Sequence, residues 1–454
     1  MTTLSFDAAL TPDGWRTDVA VTIDGGRFAA VETGVRPAGA ERIRGIALPG
    51  VGNLHSHAFQ RGFAGLTETR GTAEDHFWTW REAMYRFAGA IDPEALRAIA
   101  AMVQVEMLES GFSAVAEFHY VHHASDGRAH ANPAEMAVAI ADAATETGIG
   151  LTLLPVFYAH GGFGGKPPSE GQRRFVSSLD LFGRIVEGTE TAVAGLPGIG
   201  RRGIAPHSLR AVSADDLVAL ERAFGDGPIH VHVAEQTGEV DDCLAATGRR
   251  PVDLLFDTVA VDPRWCIVHA THVTAGEIGR MAASGAVAGL CPMTEADLGD
   301  GIFPATDFGT AGGRFGIGSD SNVLISLPGE LRLLEQSQRL RDRARNRLAD
   351  GVRSTGRVLF DQAAAAGAQA LGRDTGAIRV GALADFVVLD ADHPALYGRT
   401  GDTALDAWIF AAAANPVREV FVAGRRVVAD GRHIARETTE AAFRATVARL
   451  AERH

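Results

Sequence analysis

The sequence has little cysteine and no long apolar segment. Its three cysteines, Cys243, Cys266 and Cys291, are odd in number and widely spaced, which argues against a disulfide framework and a cysteine-ligated zinc cluster. No run of about 18 apolar residues is present, so we expect no membrane-spanning helix. The first residues, MTTLSFDAALTPDGW, lack the basic and apolar regions of a secretory signal. These absences predict a cytoplasmic protein.

Basic residues are also scarce, and lysine is nearly absent. The chain has 56 aspartates and glutamates against 43 lysines and arginines, a formal net charge of −13, and its single lysine is Lys166. Because so acidic a chain is repelled by other polyanions, we expect neither nucleic acid nor a membrane surface as its partner. An anionic small-molecule substrate stays possible, since a pocket can be locally positive.

The 454 residues fall into two kinds of sequence. Both ends alternate apolar and polar residues around tight turns, such as Asp24-Gly25-Gly26 and Ala423-Gly424-Arg425. We therefore predict that residues 1–47 and 376–454 form one small β-sandwich domain, together with a C-terminal helix.

The middle of the chain, residues 48–375, alternates β-like apolar runs with amphipathic stretches rich in alanine and leucine. FSAVAEFHY, GLTLLPVFY and WCIVHATH are runs of the first kind, and DPEALRAIAAMVQVEMLES is a stretch of the second. Seven or eight such βα units predict an α/β fold with a closed (β/α)8 barrel. No dinucleotide-binding fingerprint follows the first strand, which disfavours an open doubly wound sheet.

Two histidines lie close together in LPGVGNLHSHAFQRG, residues 48 to 62. Because side chains alternate along a strand, His55 and His57 share one face and could grip one metal ion. The motif alone is equally compatible with one packed and one solvated histidine, so the rest of the chain must decide.

Further polar residues end other predicted barrel strands. His232 and Glu235 lie at the end of PIHVHVAE, His269 ends WCIVH, and Asp320 ends RFGIGSD. In a (β/α)8 barrel, such residues meet at the carboxyl-terminal mouth. His55, His57, His232 and Asp320 are therefore predicted to bind one metal ion, since three imidazoles and a carboxylate suit Zn²⁺.

Each member of this set also has a simpler explanation. His230 shares a face with His232, and we favour His232 as the ligand because it lies nearer the mouth and Glu235. His230 is then a packed barrel residue. A single aspartate after Gly-Ser is more often a turn or capping residue than a ligand. The joint occurrence at successive strand ends favours the metal site.

The order of these motifs, HxH, HxxE, a strand-end histidine and SD, resembles the amidohydrolase superfamily over nearly the whole chain. Many members of that superfamily hold two metals bridged by a carboxylated lysine at a strand end. Here Lys166 lies in a loop rich in glycine and proline. The pattern is therefore similar to the mononuclear deaminase branch, with one Zn²⁺ per chain.

A metal ion lowers the pKa of bound water from 15.7 to roughly 7, which makes hydroxide available at neutral pH. We expect the hydroxide to attack an sp² carbon that bears nitrogen, with Asp320 accepting the water's proton. His269 would share that proton or stabilise the nucleophile, and Glu235 would carry a proton to the leaving nitrogen. This chemistry alone does not separate deamination from amide hydrolysis or dechlorination.

Flanking segments narrow the resemblance to the formimidoylglutamate deiminase family. They are LHSHAFQRG, FWTWREAMYR, EFHYVHH, APHSLRAV, HVHVAEQ and CPMTEADLGDGIFP. This resemblance implies hydrolysis of N-formimino-L-glutamate to N-formyl-L-glutamate and ammonia, a step of histidine degradation. It also implies Zn²⁺ and a homodimer.

A substrate with two carboxylates calls for guanidinium groups, which bind carboxylates in a bidentate manner. The candidate substrate-binding residues are Gln60, Arg81, Tyr120, His207 and Arg210. Gln60 would bind the formimino nitrogen, and Tyr120 offers a hydroxyl at a strand end. Arg81 could instead form a surface salt bridge, and Arg210 could cap a helix or pair with Asp215 or Asp216.

Two other functions stay open on the sequence alone. The first is a deaminase of guanine, cytosine or an adenosine derivative. The pocket of such an enzyme would need aromatic side chains that stack on the base and amides that hydrogen-bond it, rather than guanidiniums. The second is a catalytically inactive barrel that serves as a binding protein, against which the intact Glu235, His269 and Asp320 argue. A base deaminase with cysteine-ligated zinc is excluded, because the chain has no PCxxC motif.

Overall fold

The structure is a computed structural model that describes residues 1–69, 76–196 and 198–452. The strands of these residues are, in chain order, β1 (Thr2–Thr11), β2 (Gly14–Asp24), β3 (Arg27–Thr33), β4 (Glu41–Pro49), β5 (Val51–Ser56), β6 (Phe112–His119), β7 (Gly150–Phe157), β8 (Gly200–Arg202), β9 (Ala205–Pro206), β10 (Ile229–Val233), β11 (Trp265–His269), β12 (Val287–Leu290), β13 (Arg314–Ile317), β14 (Phe386–Leu389), β15 (Val417–Val422), β16 (Arg425–Ala429) and β17 (Arg432–His433).

Helices connect most of these strands and cover the barrel. They are α1 (Phe77–Ala90), α2 (Pro93–Ser110), α3 (Glu135–Thr147), α4 (Leu179–Ala194), α5 (Ala214–Phe224), α6 (Thr237–Thr247), α7 (Pro251–Thr258), α8 (Ala275–Ser284), α9 (Pro292–Asp297), α10 (Ala305–Thr310), α11 (Leu327–Asp342), α12 (Thr355–Ala370), α13 (Asp402–Ala411) and α14 (Arg436–Ala451). Two short 3₁₀ helices span Ala58–Phe63 and Glu170–Gln172. No helix of the described ranges is apolar and long enough to reach across a bilayer.

Parallel strands close into the predicted (β/α)8 barrel. The strands β5, β6 and β7 pair in parallel, β8 and β9 both pair with β7 as one interrupted strand, and β10 to β13 pair in parallel. Parallel bridges Ile204↔Ile229 and Ser56↔Asp320 join the two arcs. Every residue of β5, β6, β7, β10, β11 and β12 is buried, as expected for strands with helices outside and side chains inside.

Strands from both ends of the chain form one β domain, as the sequence predicts, and all of them belong to a single sheet. Its order is β17-β16-β15-β14-β4-β1-β2-β3, and it is antiparallel except for the pair β1–β4. Phe28 in β3 and Phe386 in β14 lie four strands apart, which is about 19 Å in a flat sheet. Their ring centroids are only 5.9 Å apart, so the sheet curls over its own small apolar core.

The curled sheet leads directly into the barrel. β4 ends at Pro49 and β5 begins at Val51, so a single residue, Gly50, separates the sheet from the strand that carries the HxH motif. The amide of Gly50 donates to the carbonyl of Asp385, which precedes β14. This connection fixes the first barrel strand to the sheet at its amino end, opposite the mouth.

Candidate metal and catalytic site

The four predicted metal ligands lie together at the mouth of the barrel. Nε2 of His55 is 3.2 Å from Nε2 of His57 and 3.0 Å from Nε2 of His232. Oδ1 of Asp320 is 3.5 Å from Nε2 of His55 and 3.3 Å from Nε2 of His57. Around one tetrahedral zinc ion with bonds of about 2.05 Å, ligand atoms lie ~3.3 Å apart. The spacing within the triad of His55, His57 and Asp320 therefore fits a single ion, and His232 adjoins that triad through His55.

The hydrogen bonds of two imidazoles fix their tautomers. Nδ1 of His57 donates to the carbonyl of Phe118 at 2.9 Å, and Nδ1 of His232 donates to the carbonyl of His207 at 3.0 Å. Because a carbonyl only accepts, each Nε2 presents a lone pair toward His55. A neutral His55 has at most one Nε2 proton and cannot satisfy both lone pairs. A shared cation satisfies them all.

Burial keeps these imidazoles neutral, which is the form that binds a metal. Burial lowers the pKa of His55 and His232, and burial together with His55 lowers the pKa of His57 to about 3. Burial opposes ionisation of Asp320, but the hydrogen bond from His55 and the neighbouring histidines outweigh it and hold the pKa of Asp320 below its usual range. Three neutral nitrogens therefore face one carboxylate.

His269 and Glu235 lie beside this cluster. Nε2 of His269 is 3.7 Å from Oδ2 of Asp320 and 3.8 Å from Oε1 of Glu235. His269 also lies close enough to His55 and His232 to form a second metal-binding triad that shares His55. His269 and Glu235 are thus within reach of anything bound at the cluster.

A third carboxylate, Glu295 of α9, was not singled out in the sequence. Its Oε1 lies 3.3 Å from Nδ1 of His269 and accepts the amide of Cys291. Burial would lower the pKa of His269, but Glu235, the hydrogen bond to Glu295 and Asp320 together raise that pKa to about 10. Burial raises the pKa of Glu235 to about 7. The one sequence feature that could have identified Glu295 is its place in CPMTEADLGDGIFP, a segment that carries the family resemblance.

The backbone at the mouth is strained at non-glycine residues. Left-handed φ angles of 52°, 65° and 44° occur at Ala234, which directly follows β10, at His269, which ends β11, and at Asp320, three residues after β13. Such conformations cost about 1–3 kcal/mol each and persist where the surroundings over-determine them. The strain aims the side chains of His269 and Asp320 at the cluster.

Two buried asparagines hold Asp320 in that conformation. Oδ1 of Asn53 accepts the amides of His55 and Ser319, and its Nδ2 donates to Oγ of Ser319 at 2.6 Å. Oγ of Ser319 donates to Oδ1 of Asn322, whose Nδ2 donates to the carbonyl of Asp320. The ends of β5 and β13 are therefore locked together by side chains. Neither asparagine is among the residues predicted from the sequence, although they lie in the GNLHSH and SDSN segments.

A cavity opens above the cluster. All five predicted substrate-binding residues line it, namely Gln60, Arg81, Tyr120, His207 and Arg210. Nε2 of Gln60 donates to the hydroxyl of Tyr120 at 2.9 Å, while its buried Oε1 has no partner among the described residues. That carbonyl is free to accept a hydrogen bond from a ligand.

Two guanidinium groups enter the same cavity. Arg81 stacks over Trp78 at 4.4 Å, and its buried Nε has no partner in the described part of the chain. Arg210 lies 4.0 Å from Glu235 and 3.8 Å from Glu239, so it is paired with neither Asp215 nor Asp216. His207, whose Nδ1 lies 3.0 Å from Oγ of Ser208, completes this wall. His230 points elsewhere and hydrogen-bonds the carbonyl of Ala370, in agreement with its predicted packing role.

The chain matches known families and proteins over nearly its full length. Residues 46–427 match the amidohydrolase family, and residues 1–45 match the family described as "Formimidoylglutamate deiminase HutF, N-terminal domain". Formimidoylglutamate deiminase from Pseudomonas aeruginosa is 52% identical over 450 residues, which is 98% of both chains. A 5-methylthioadenosine/S-adenosylhomocysteine deaminase from Natronomonas pharaonis is 29% identical over 85% of this chain and 82% of its own.

Solved structures show the same architecture. An amidohydrolase from Brucella melitensis has a TM-score of 0.96 and 51% identity, and the match covers 99% of this chain and 100% of that one. An adenosine deaminase from Xanthomonas campestris with bound zinc has a TM-score of 0.81 at 22% identity, over 100% of this chain and 98% of that one. At that identity the second likeness concerns the fold alone.

Proposed function

This chain belongs to the amidohydrolase family, and from that premise we propose that it hydrolyses N-formimino-L-glutamate to N-formyl-L-glutamate and ammonia. One observation supports this conclusion most directly: two metal-binding triads that share His55, one with His57 and Asp320 and one with His232 and His269, lie at a cavity that also holds two guanidinium groups. The cluster suits hydrolysis of a C–N bond, and the guanidiniums suit a substrate with two carboxylates. The relative from Pseudomonas aeruginosa has the corresponding name.

We propose His55, His57, His232 and Asp320 as the ligands of one Zn²⁺ per chain. The lone pairs of His57 and His232 that face His55 support this assignment. A zinc ion bound there would lower the pKa of water from 15.7 to roughly 7 and so supply a nucleophile at neutral pH.

The remaining groups are proposed to move protons. Asp320 accepts the proton of the attacking water, and His269, with its Nε2 3.7 Å from Oδ2 of Asp320, holds or shares it. Water adds to the formimino carbon to give a tetrahedral intermediate. The terminal nitrogen takes up two protons in all: the one that Asp320 took from the water, and the one that the hydroxyl of the intermediate loses as the formyl group forms. Glu235 passes both protons to that nitrogen, the C–N bond breaks, and ammonia leaves.

Gln60, Arg81, Tyr120, His207 and Arg210 are proposed to bind the substrate. The unpartnered Oε1 of Gln60 is placed to accept from the formimino N–H. Arg81 and Arg210 each present a planar guanidinium, which can bind a carboxylate through two parallel N–H groups. Trp78 restrains Arg81 by stacking, and Glu235 and Glu239 restrain Arg210, so little side-chain entropy is lost on binding.

Three further properties stay proposals, the first from the family resemblance and the other two from the sequence pattern. They are a homodimer, a place in the cytoplasm, and domain limits at residues 47/48 and 375/376. The buried, free state of Cys243, Cys266 and Cys291 supports a reducing compartment. β4 runs across residue 47, and Arg449 of α14 pairs with Asp92 beside barrel helix α2, so the two parts are closely joined.

A substrate panel tests the proposed function. The metal-replete protein should release ammonia from N-formimino-L-glutamate, more slowly from its aspartate homologue, and not from guanine, cytosine or adenosine. Arg210→Ala should reduce kcat/KM at least about tenfold, since a charge-assisted hydrogen bond contributes roughly 1.5–3 kcal/mol. Better turnover of a nucleobase or nucleoside would refute the substrate assignment but leave the hydrolase chemistry.

A further inference from the structure

Three of the chain's four tyrosines, Tyr85, Tyr120 and Tyr158, line the cavity. Tyr120 is already engaged, because its hydroxyl accepts from Gln60 and points its proton at Sδ of Met84, 3.8 Å away. The hydroxyls of Tyr85 and Tyr158 meet a different partner. Both lie at the amide of Gln172, at 3.3 and 2.7 Å from its Nε2.

The orientation of Gln172 is fixed by its own backbone. Gln172 ends the 3₁₀ helix Glu170–Gln172, and its Oε1 accepts the amide of Ser169 at 2.7 Å. Nε2 must therefore face the two tyrosines, and its two protons go to the two hydroxyl oxygens. Gln172 is only 2% exposed, so water does not compete for these hydrogen bonds.

Donor counting then leaves two unused protons. Each tyrosine hydroxyl accepts from Gln172 and can donate its own proton once. Among the described residues, neither hydroxyl has an acceptor for that proton. Both side chains line the cavity, where the Arg81 guanidinium carbon lies 5.5 Å from the centre of the Tyr85 ring, and the Tyr158 ring lies 4.7 Å from that of His207.

We propose that Tyr85 and Tyr158 donate hydrogen bonds to a carboxylate of the substrate, and that Gln172 is the positioning residue that turns both hydroxyl protons toward it. Phenol donors beside two guanidiniums form a binding site for an anion. A hydrogen bond from a hydroxyl to a charged carboxylate is stronger than one from the same hydroxyl to a neutral acceptor. This proposal rests on the proposed function, since it assigns further groups to the same substrate.

The variants Tyr158→Phe, Tyr85→Phe and Gln172→Glu test this subsite. Each phenylalanine removes one donor and keeps the ring. Glutamate has the shape of glutamine and still accepts from Ser169, but it takes up the tyrosine protons instead of releasing them. Each variant should raise KM for N-formimino-L-glutamate about tenfold or more while kcat stays within about twofold, because an interaction common to ground and transition state is lost.

Analogues with one carboxylate show which group the tyrosines bind. N-formimino-4-aminobutyrate lacks the α-carboxylate and N-formimino-2-aminobutyrate lacks the distal one. The Tyr158→Phe penalty should vanish with one analogue and persist with the other. An equal penalty on all three substrates would mean a structural role. An unchanged KM in Gln172→Glu would overturn the positioning role.

Calorimetry of glutarate binding to the zinc-loaded protein tests the tyrosine subsite independently of the proposed enzymatic function. Glutarate carries two carboxylates and no reacting group, so Tyr158→Phe and Gln172→Glu should weaken its binding about tenfold. If glutarate binds in this way but no ammonia is released from N-formimino-L-glutamate, the proposed function fails and the subsite stands. If ammonia is released and both variants bind glutarate normally, the subsite fails alone. The exposed Tyr397, replaced by phenylalanine, is the matched control and should change nothing.

Discussion

Glu235 touches the proposed catalytic groups without being needed to hold the metal. Its Oε1 lies 3.8 Å from Nε2 of His269, and its other oxygen lies 4.0 Å from Arg210. It is therefore placed between the reacting end and the carboxylate-binding end of the cavity. A carboxyl group in that position can carry a proton to the leaving nitrogen without disturbing the ligands.

Glu235→Gln should keep its zinc and lose turnover. The amide has the same shape but cannot deliver a proton, so kcat should fall by about 10² or more, the usual contribution of a positioned acid–base group. Steady-state ammonia release, together with the zinc content of the same sample, measures both effects. A variant that turned over near the wild-type rate would show that another group carries the proton.

The mouth of the barrel depends on how two strand ends are joined. Asn53 precedes the HxH motif and is fully buried, and its hydrogen bonds to Ser319 add to the backbone hydrogen bonds that join His55 and His57 of this segment to Asp320. A metal site built from both strands can be no more rigid than this connection.

Asn53→Ala should destabilise the protein and loosen its metal. The substitution leaves the amides of His55 and Ser319 and the hydroxyl of Ser319 short of partners inside the barrel. Each buried unpaired group costs about 1–3 kcal/mol, so we expect a loss of at least about 2 kcal/mol in unfolding free energy. Thermal unfolding and competition for zinc with a chelator measure the two effects. If the variant were destabilised but bound zinc with wild-type affinity, Asn53 would stabilise the fold without supporting the metal site.

The strand ends were predictable because parallel strands in a barrel leave few choices. Side chains alternate along a strand, which predicted that His55 and His57 share one face. The ends of barrel strands meet at the mouth, which predicted that His232 and Asp320 lie beside them. Gln172, Tyr85 and Tyr158 were not predictable as a cluster. They come from a 3₁₀ helix, from α1 and from the residue after β7, and no local sequence pattern shows that a glutamine amide meets two distant hydroxyls.

Buried histidines outside the site make the fold sensitive to acid. Nε2 of His122 donates to the carbonyl of Val156 at 2.8 Å, and burial and neighbouring His123 lower the pKa of His122 to about 3. An unfolded histidine has a pKa of about 6.5. The unfolded chain therefore binds more protons below that pH, and the stability due to neutral His122, complete above about pH 6.5, declines as the pH falls toward 3.

His122→Gln should remove this part of the acid sensitivity. Glutamine can still donate to Val156 and does not titrate. Between pH 7 and pH 5 the wild type should lose about 2 kcal/mol more than the variant, at 1.36 kcal/mol per pH unit below 6.5. Urea unfolding of both proteins at the two pH values, with zinc in excess, gives the difference. Parallel pH profiles would show that His122 does not contribute.

A buried ion pair joins the barrel to the curled sheet. Arg373 donates to the carbonyl of Ile199 at 2.6 Å and lies 3.5 Å from Asp385, which in turn accepts the amide of Ala423 between β15 and β16. The sequence pattern predicted that both chain ends build one small β-sandwich domain, because their strands alternate in the same way. It could not predict the curl or this ion pair, which depend on packing between residues far apart in the chain.

Arg373→Met should cost roughly 3–5 kcal/mol of stability, since it leaves a buried carboxylate without its cation. Adding Asp385→Asn should recover part of that loss, because the charge is then gone. Denaturant unfolding of the two single variants and the double variant gives the coupling between them. Additive losses would mean that the two side chains do not act as a pair.

The central claim is that one metal ion, held at the barrel mouth, makes this chain a hydrolase of N-formimino-L-glutamate. The most direct measurement is a titration of the metal-free protein with zinc while ammonia release from N-formimino-L-glutamate is followed. Activity should be absent at first, rise in proportion to added zinc, and level off at about one zinc per chain. Activity that needs two equivalents, or that is complete without metal, would contradict the single-ion site.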